Sequence, residues 1–129
     1  MKGLLTIISL VCFISCYTQK KIEVIEQSYT HNRCTEEVKV YTNFEDFDEF
    51  QKSLIIPGQR NKPLQIIDFS DKNIAVICKN NIDQYDISNI ELLKKNKLKL
   101  NIAKDHFDSS INLLIVELPK EINHLTLIY

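Results

Sequence analysis

Two short stretches, residues 74–78 (IAVIC) and 111–118 (INLLIVEL), are apolar at nearly every position. A strand with one face in water alternates apolar and polar side chains, whereas a strand apolar on both faces needs cover on both. The fold must therefore bury two central strands from two sides, and the rest of a 129-residue chain has to supply the cover. Residues 97–102 carry the contrasting pattern. Leu98, Leu100 and Ile102 are expected to point inward, while Lys97, Lys99 and Asn101 meet water.

One helix is predicted, over residues 44–54. Phe44, Phe47, Gln51 and Leu54 follow helical spacing with Phe50 beside them, and Thr42 with Glu45 matches a capping box. Asp46, Asp48 and Glu49 put negative charge in the first turns, where the helix dipole favours it. The aromatic stripe is read as the face that packs on a sheet. Residues 22–26 (IEVIE) read as a strand, 28–37 as a hairpin connection and 38–41 (VKVY) as the return strand. Pro63 opens the segment 64–68, and residues 80–83 form a turn.

Residues 85–93 fit two patterns. A strand with a bulge at Ser88-Asn89 is favoured over a short helix capped by Asp86 with Ile87, Ile90 and Leu93 on one side. Lys95-Asn96 and Pro119-Lys120-Glu121 are turns, the second leading into a last strand at 124–128. The expected fold is α+β: a single antiparallel, curled sheet of about six or seven strands packed on the one helix, the alternative being a β-sandwich with one helix.

The beginning of the chain follows a different logic. Lys2 precedes the apolar run of residues 4–16, LLTIISLVCFISC. That is the layout of a secretory signal, and its length of about a dozen residues falls short of the ~20 needed to span a bilayer. Phe13-Ile14-Ser15-Cys16 resembles the lipobox of bacterial lipoproteins, in which the cysteine is diacylated and becomes the mature N-terminus. Ser15 is the small residue before the acceptor, and Cys12, which follows Val11, lacks one. The chain therefore divides into a signal peptide at 1–15, a lipidated Cys16 with a tether to residue 21, and one globular domain at 22–129. The expected location is the cell envelope of a bacterium, anchored by lipid to the inner or outer membrane.

Once residues 1–15 are removed, 15 Lys and Arg face 17 Asp and Glu, a formal charge of −2. No basic patch or charge run stands out, so nucleic-acid binding has no support. Gly58 is the one glycine after Gly3. Phosphate-cradling loops, dinucleotide fingerprints and nucleophile elbows all need glycine for close backbone approach, and none can be built. No cofactor is implied. With Cys12 removed and Cys16 lipidated, Cys34 and Cys78 remain, and an oxidising envelope permits a bridge between them. Closing that loop would stabilise the domain by about 4 kcal/mol on the chain-entropy model.

Two constellations could carry chemistry. His31 and Cys34 are spaced like metal ligands, with Cys78 or His106 to complete a set, but zinc sites usually show two such pairs. The reading is a polar hairpin tip and no metal. Residues 105–110 (DHFDSS) hold the residue types of a hydrolase triad, yet neighbours on one loop seldom reach triad geometry.

From about residue 21 to 128 the chain resembles the C-terminal domain family of the protease complex subunit PrcB. The likeness is carried by residues 23–29 and 37–43 as an opening hairpin, 44–50 as an acidic-aromatic helix, Pro63 followed by Asp68-Phe69-Ser70 and the strand 74–77, and 114–120 ending Leu118-Pro119-Lys120. The resemblance implies a small non-catalytic domain of an envelope lipoprotein, an accessory to a protease complex. Where that family has a Pro-Thr-Gly-Gly-type loop, this chain reads Asn80-Asn81-Ile82-Asp83-Gln84, so the family's contact chemistry does not carry over.

The function expected is a membrane-anchored binding or adaptor domain meeting an unidentified envelope protein, and not an enzyme. Asn80, Asn81, Asp83, Gln84 and Tyr85, with the nearby hairpin tip, are the candidate contact residues because exposed loops carry recognition. A small envelope hydrolase using residues 105–110 and a purely structural envelope protein are the alternatives.

Overall fold

The computed structural model describes residues 20–30, 37–103 and 111–129. Cys16, His31, Cys34, His106 and the signal residues lie outside them. Among the described residues are one α-helix, α1 (Phe44–Ser53), and eight strands: β1 (Lys20–Lys21), β2 (Val24–Ser28), β3 (Val38–Tyr41), β4 (Lys72–Cys78), β5 (Glu91–Leu93), β6 (Lys97–Lys99), β7 (Leu113–Pro119) and β8 (Thr126–Ile128).

The two apolar runs become β4 and β7, which pair antiparallel from Lys72↔Pro119 to Cys78↔Leu113 at the centre of a sheet ordered β2-β7-β4-β3. Side chains alternate between its faces. Ile74 and Val76 of β4, with Leu113 and Ile115 of β7, join Tyr41, Phe47 and Phe69 under α1. Ala75, Ile77, Leu114, Val116 and Leu118 turn the other way and meet Ile22, Ile82, Ile90, Leu98 and Leu100. That second cover is a smaller sheet, β1-β5-β6-β8, antiparallel except for the parallel pair β6–β8. The α+β expectation is met, with a sheet packed on the single helix, and the strands divide between two sheets. The layers run helix, long-stranded sheet, short-stranded sheet.

Five local readings are corrected. Strands β2 and β3 do not form a hairpin; they are the two edges of the long-stranded sheet, separated by β7 and β4. Each of them gains more by pairing with an all-apolar central strand than by pairing with the other. The helix cap is Asn43 and not Thr42: Asn43 Oδ1 accepts from the Asp46 N–H at 2.9 Å, and Asn43 Nδ2 donates to Asp46 Oδ2 at 3.0 Å. The cap and its partner carboxylate thus sit one residue further on than Thr42 and Glu45, and the return bond goes to the cap's side-chain amide and not to its backbone N–H. Residues 85–93 are neither one strand nor one helix. Asp86 accepts from the Ser88 N–H at 3.1 Å and caps a 3-10 turn at Ile87–Asn89, and β5 follows. Ile102 is 76% exposed, because β6 stops at Lys99 and the inward alternation ends with Leu100. The folded chain also begins earlier than the tether boundary implied, with Lys20–Lys21 paired to Leu92 and Glu91.

Two buried polar side chains hold the connections. Asn73 Nδ2 donates to the carbonyls of Lys120 (3.0 Å) and Ile122 (2.7 Å), fixing the turn from β7 to β8. Gln51, on the buried face of α1, exchanges two hydrogen bonds with the backbone of Gln65 at 2.9 and 2.7 Å. This pins the extended segment 63–68, which lies outside both sheets, to the helix. Each satisfies a group whose burial alone would cost about 1–3 kcal/mol.

Candidate functional site

The turn after β4 starts at Asn80 and passes through Asn81, whose φ of 63° is left-handed, a conformation asparagine tolerates better than most residues. Ile82, fully buried, plugs the turn into the core between the sheets. The 3-10 turn Ile82–Gln84 closes with Gln84 N–H to Asn81 O (3.1 Å) and Tyr85 N–H to Ile82 O (3.1 Å). An antiparallel bridge then joins Tyr85 to Ile102, flanked by Ala103 N–H to Gln84 O (2.8 Å) and Asp86 N–H to Asn101 O (2.7 Å). A buried isoleucine and a short ladder thus hold the exposed Asn80, Asn81 and Gln84 in place. Asp83 takes part through its backbone, and its side chain lies outside the described residues.

Tyr85 does not stand alone. Its ring lies 5.7 Å from that of Tyr129, tilted by 37°. Lys79 Nζ sits 4.3 Å from the Tyr129 ring centroid and 5.9 Å from that of Tyr85, within cation–π range. Lys79 also pairs with Glu37 at 3.4 Å, and the Tyr129 hydroxyl donates to the same carboxylate oxygen of Glu37. Glu37, Lys79, Tyr85 and Tyr129 form one cluster beside the exposed amides. Tyr129 remains 58% exposed, so the cluster offers apolar ring surface as well as hydrogen-bonding groups.

Sequence reasoning places the turn and Tyr85 at this surface but misses Tyr129, Lys79 and Glu37. Tyr129 arrives because β8 runs parallel to β6, with Leu100 N–H donating to Ile128 O at 2.9 Å, a pairing that no local pattern announces. Glu37 arrives because its carbonyl accepts from the Cys78 N–H at 2.8 Å where β3 begins. Cys78 is disulfide-bonded, and its partner cysteine lies outside the described residues.

A concavity of about 250 Å³ lies between the end of β2, the last turn of α1 and the loop 55–64, with Tyr29, Gln51, Leu54, Arg60 and Leu113 among its walls. Among the described residues no group of three His, Cys, Asp or Glu side chains is placed to hold a metal ion. No helix among them is long and apolar enough to cross a membrane. Compared with protein-family models, with curated proteins and with solved structures, the chain finds no match.

Proposed function

We propose that the protein is a lipid-anchored, non-catalytic binding module of the bacterial cell envelope. The observation that carries this reading is the run of residues 4–16, ending Ile14-Ser15-Cys16 four residues before the first strand. A diacylated cysteine holds a protein firmly, since each buried methylene contributes about 0.8 kcal/mol and two chains suffice for stable attachment. The disulfide at Cys78 supports an oxidising compartment, because such bonds persist in the envelope and are rare in the cytosol. Cys34 is the partner we assign to it. Cys34 is three positions before Glu37, whose backbone touches Cys78, and a chain of that length reaches about 11 Å at most.

The surface that meets a partner is the turn at residues 80–85 with Lys79 and Tyr129. Its amides and tyrosine rings combine adaptable hydrogen bonding with rigid contact area, the composition favoured in binding surfaces. The resemblance to the PrcB C-terminal domain makes a protease complex the class of partner to look for first.

The anchor is tested by labelling cells with radioactive palmitate. The wild-type chain takes up label and Cys16→Ser does not; a labelled Cys16→Ser chain would remove the assignment. For the contact surface, a photo-crosslinking residue at Gln84 or Tyr129 is compared with one at Glu49, an exposed residue of α1 on the other side of the long-stranded sheet. An envelope protein captured from Gln84 and Tyr129 but not from Glu49 supports the surface, and equal capture from all three discards it.

A further inference from the structure

The overall charge of the chain hides a strong local one. Residues 91–99 hold Lys94, Lys95, Lys97 and Lys99 against Glu91, a net of +3 within a mature chain of −2, so the remainder sums to −5. Folding concentrates these lysines. Strands β5 and β6 form a hairpin with Lys94, Lys95 and Asn96 at its tip. Leu92, Leu98 and Leu127 pack inward against the core, which leaves Lys97 and Lys99 on the outer face of the short-stranded sheet. Lys94, Lys95 and Lys97 are exposed.

The tip residue Lys95 has a φ of 59°. A left-handed conformation costs a residue with a Cβ about 1–2 kcal/mol, and glycine or asparagine is the usual occupant of such a position. Lys95 carries that steric cost at a position where glycine would not.

The entry point of the chain is at the same end. Strand β1 runs antiparallel to β5, with Lys20 opposite Leu92 and Lys21 opposite Glu91. Its N-terminal end therefore lies toward the hairpin tip. Lys20 is four positions after Cys16, a span of about 14 Å at most. The surface of residues 80–85 lies at the other end of the same strands, where Tyr85 bridges Ile102 five residues beyond Lys97, about 17 Å along the chain. The helix layer, with Glu45, Asp46, Asp48 and Glu49 against Lys52, is on the far side of the long-stranded sheet.

We infer that the lysine hairpin formed by β5 and β6 docks on a bilayer surface rich in anionic phospholipid, holding the Tyr85–Tyr129 surface away from the membrane. The tether places the tip within reach of the headgroups, and the charge is of the sign they attract. The acidic helix is repelled, so the electrostatic torque and the tether select the same orientation. The orienting role rests on the lipid-anchor reading above, whereas the affinity of the hairpin for anionic lipid does not.

The test uses the full chain carrying Cys16→Ser, so that it reads the hairpin whether or not the native cysteine is acylated. Partition is measured onto phosphatidylcholine vesicles with and without about 30% phosphatidylglycerol. The ratio between the two cancels whatever the apolar residues 4–16 contribute. Each lysine at an anionic surface contributes about fivefold, so replacing Lys94, Lys95 and Lys97 together by Gln should lower the ratio roughly a hundredfold. The triple Arg variant should keep it, and about 0.5 M salt should abolish it. Unchanged circular dichroism of the Gln variant excludes misfolding at these exposed positions. A ratio near one in the parent chain, or one that the Gln variant leaves intact, overturns the inference. A short RNA or DNA duplex that binds through the same lysines while the vesicle ratio stays near one assigns them to nucleic acid and overturns it too. Palmitate labelling of the unsubstituted chain reports separately on the anchor.

Discussion

The two faces of the long-stranded sheet are covered in opposite ways. On one face a single ten-residue helix lays down Phe47 and Phe50, which meet Tyr41 and Phe69 in ring contacts of 5.5–5.9 Å. On the other face the cover is assembled from pieces: Ile22 before β2, Ile82 in one 3-10 turn and Ile90 just after the other, Leu98 and Leu100 around β6, and Ile122 after β7. The first layer is aromatic and local in sequence, the second aliphatic and drawn from a span of about a hundred residues. A local layer can be read from periodicity. A scattered layer depends on pairings such as the parallel β6–β8 contact, which only the whole fold decides. The surfaces proposed for function also fall on the scattered layer. The lysine hairpin tip and the Tyr85–Tyr129 cluster lie at opposite ends of the short-stranded sheet.

That comparison can be broken by mutation. Phe47 is fully buried with edge-to-face contacts to both Tyr41 and Phe69. Phe47→Ala is expected to lower stability by about 3–5 kcal/mol, read from the urea midpoint. Leu98 is equally buried but sits in a three-residue strand. Leu98→Ala is expected to cost about 2–3 kcal/mol, the low end of the range, because short strands can settle into part of the cavity. A Leu98→Ala loss as large as that of Phe47→Ala would mean that the scattered layer is as rigid as the helical one.

Asn73 sharpens the same point, because it ties the long-stranded sheet to the turn that launches β8. Its side chain is 1% exposed, donates to two carbonyls and accepts from Lys120 Nζ at 3.2 Å. Asn73→Ala leaves those carbonyls short of a donor and is expected to cost about 1–3 kcal/mol. It should also raise hydrogen exchange at Leu100, whose N–H donates to Ile128 O, well before exchange rises in β4. Equal exchange increases in both places would show that the layers unfold as one unit.

Sequence reading was strongest where chemistry and geometry are local. The apolar runs marked β4 and β7 because no solvated face was available to them, and the acidic, aromatic periodicity marked α1 to within a residue. It failed at β2 and β3, because adjacency in sequence favoured a hairpin while the central strands offered each edge a better apolar partner. It failed again at the lysines. Averaged over the chain they vanish into a charge near zero, and only the β5–β6 hairpin lines them up. Of the candidate contact surface, the turn and Tyr85 were legible from loop chemistry. Tyr129, Lys79 and Glu37 were not, since strand pairing alone brings them there.

The smallest expected effect separates the helix side from the rest by pH. Asp68 accepts from the Ser70 N–H at 2.9 Å, and this bond, with the nearby Lys72, holds its carboxyl below the ordinary 3.8. The folded state therefore binds that proton less readily than the unfolded chain does. What Asp68 contributes is present in full above 3.8 and is lost as pH falls through the lower, folded value. The sign is opposite for Lys72. Glu117, 3.2 Å away, raises its pKa above 10.5, so its contribution is present below 10.5 and disappears as pH rises through the folded value. Both groups lie on the helix-side half, Lys72 and Glu117 on the face of the sheet shared with Ile74 and Asp68 beside Phe69 of the aromatic cluster. Asp68→Asn should thus flatten the acid limb of the curve of urea midpoint against pH and, because the Asp68 charge also helps to raise Lys72, start the alkaline limb at slightly lower pH. A variant that lost the alkaline limb altogether would show that the Asp68 loop also sets the geometry of the Lys72–Glu117 pair, and that the helix side is coupled more tightly than its separate contacts imply.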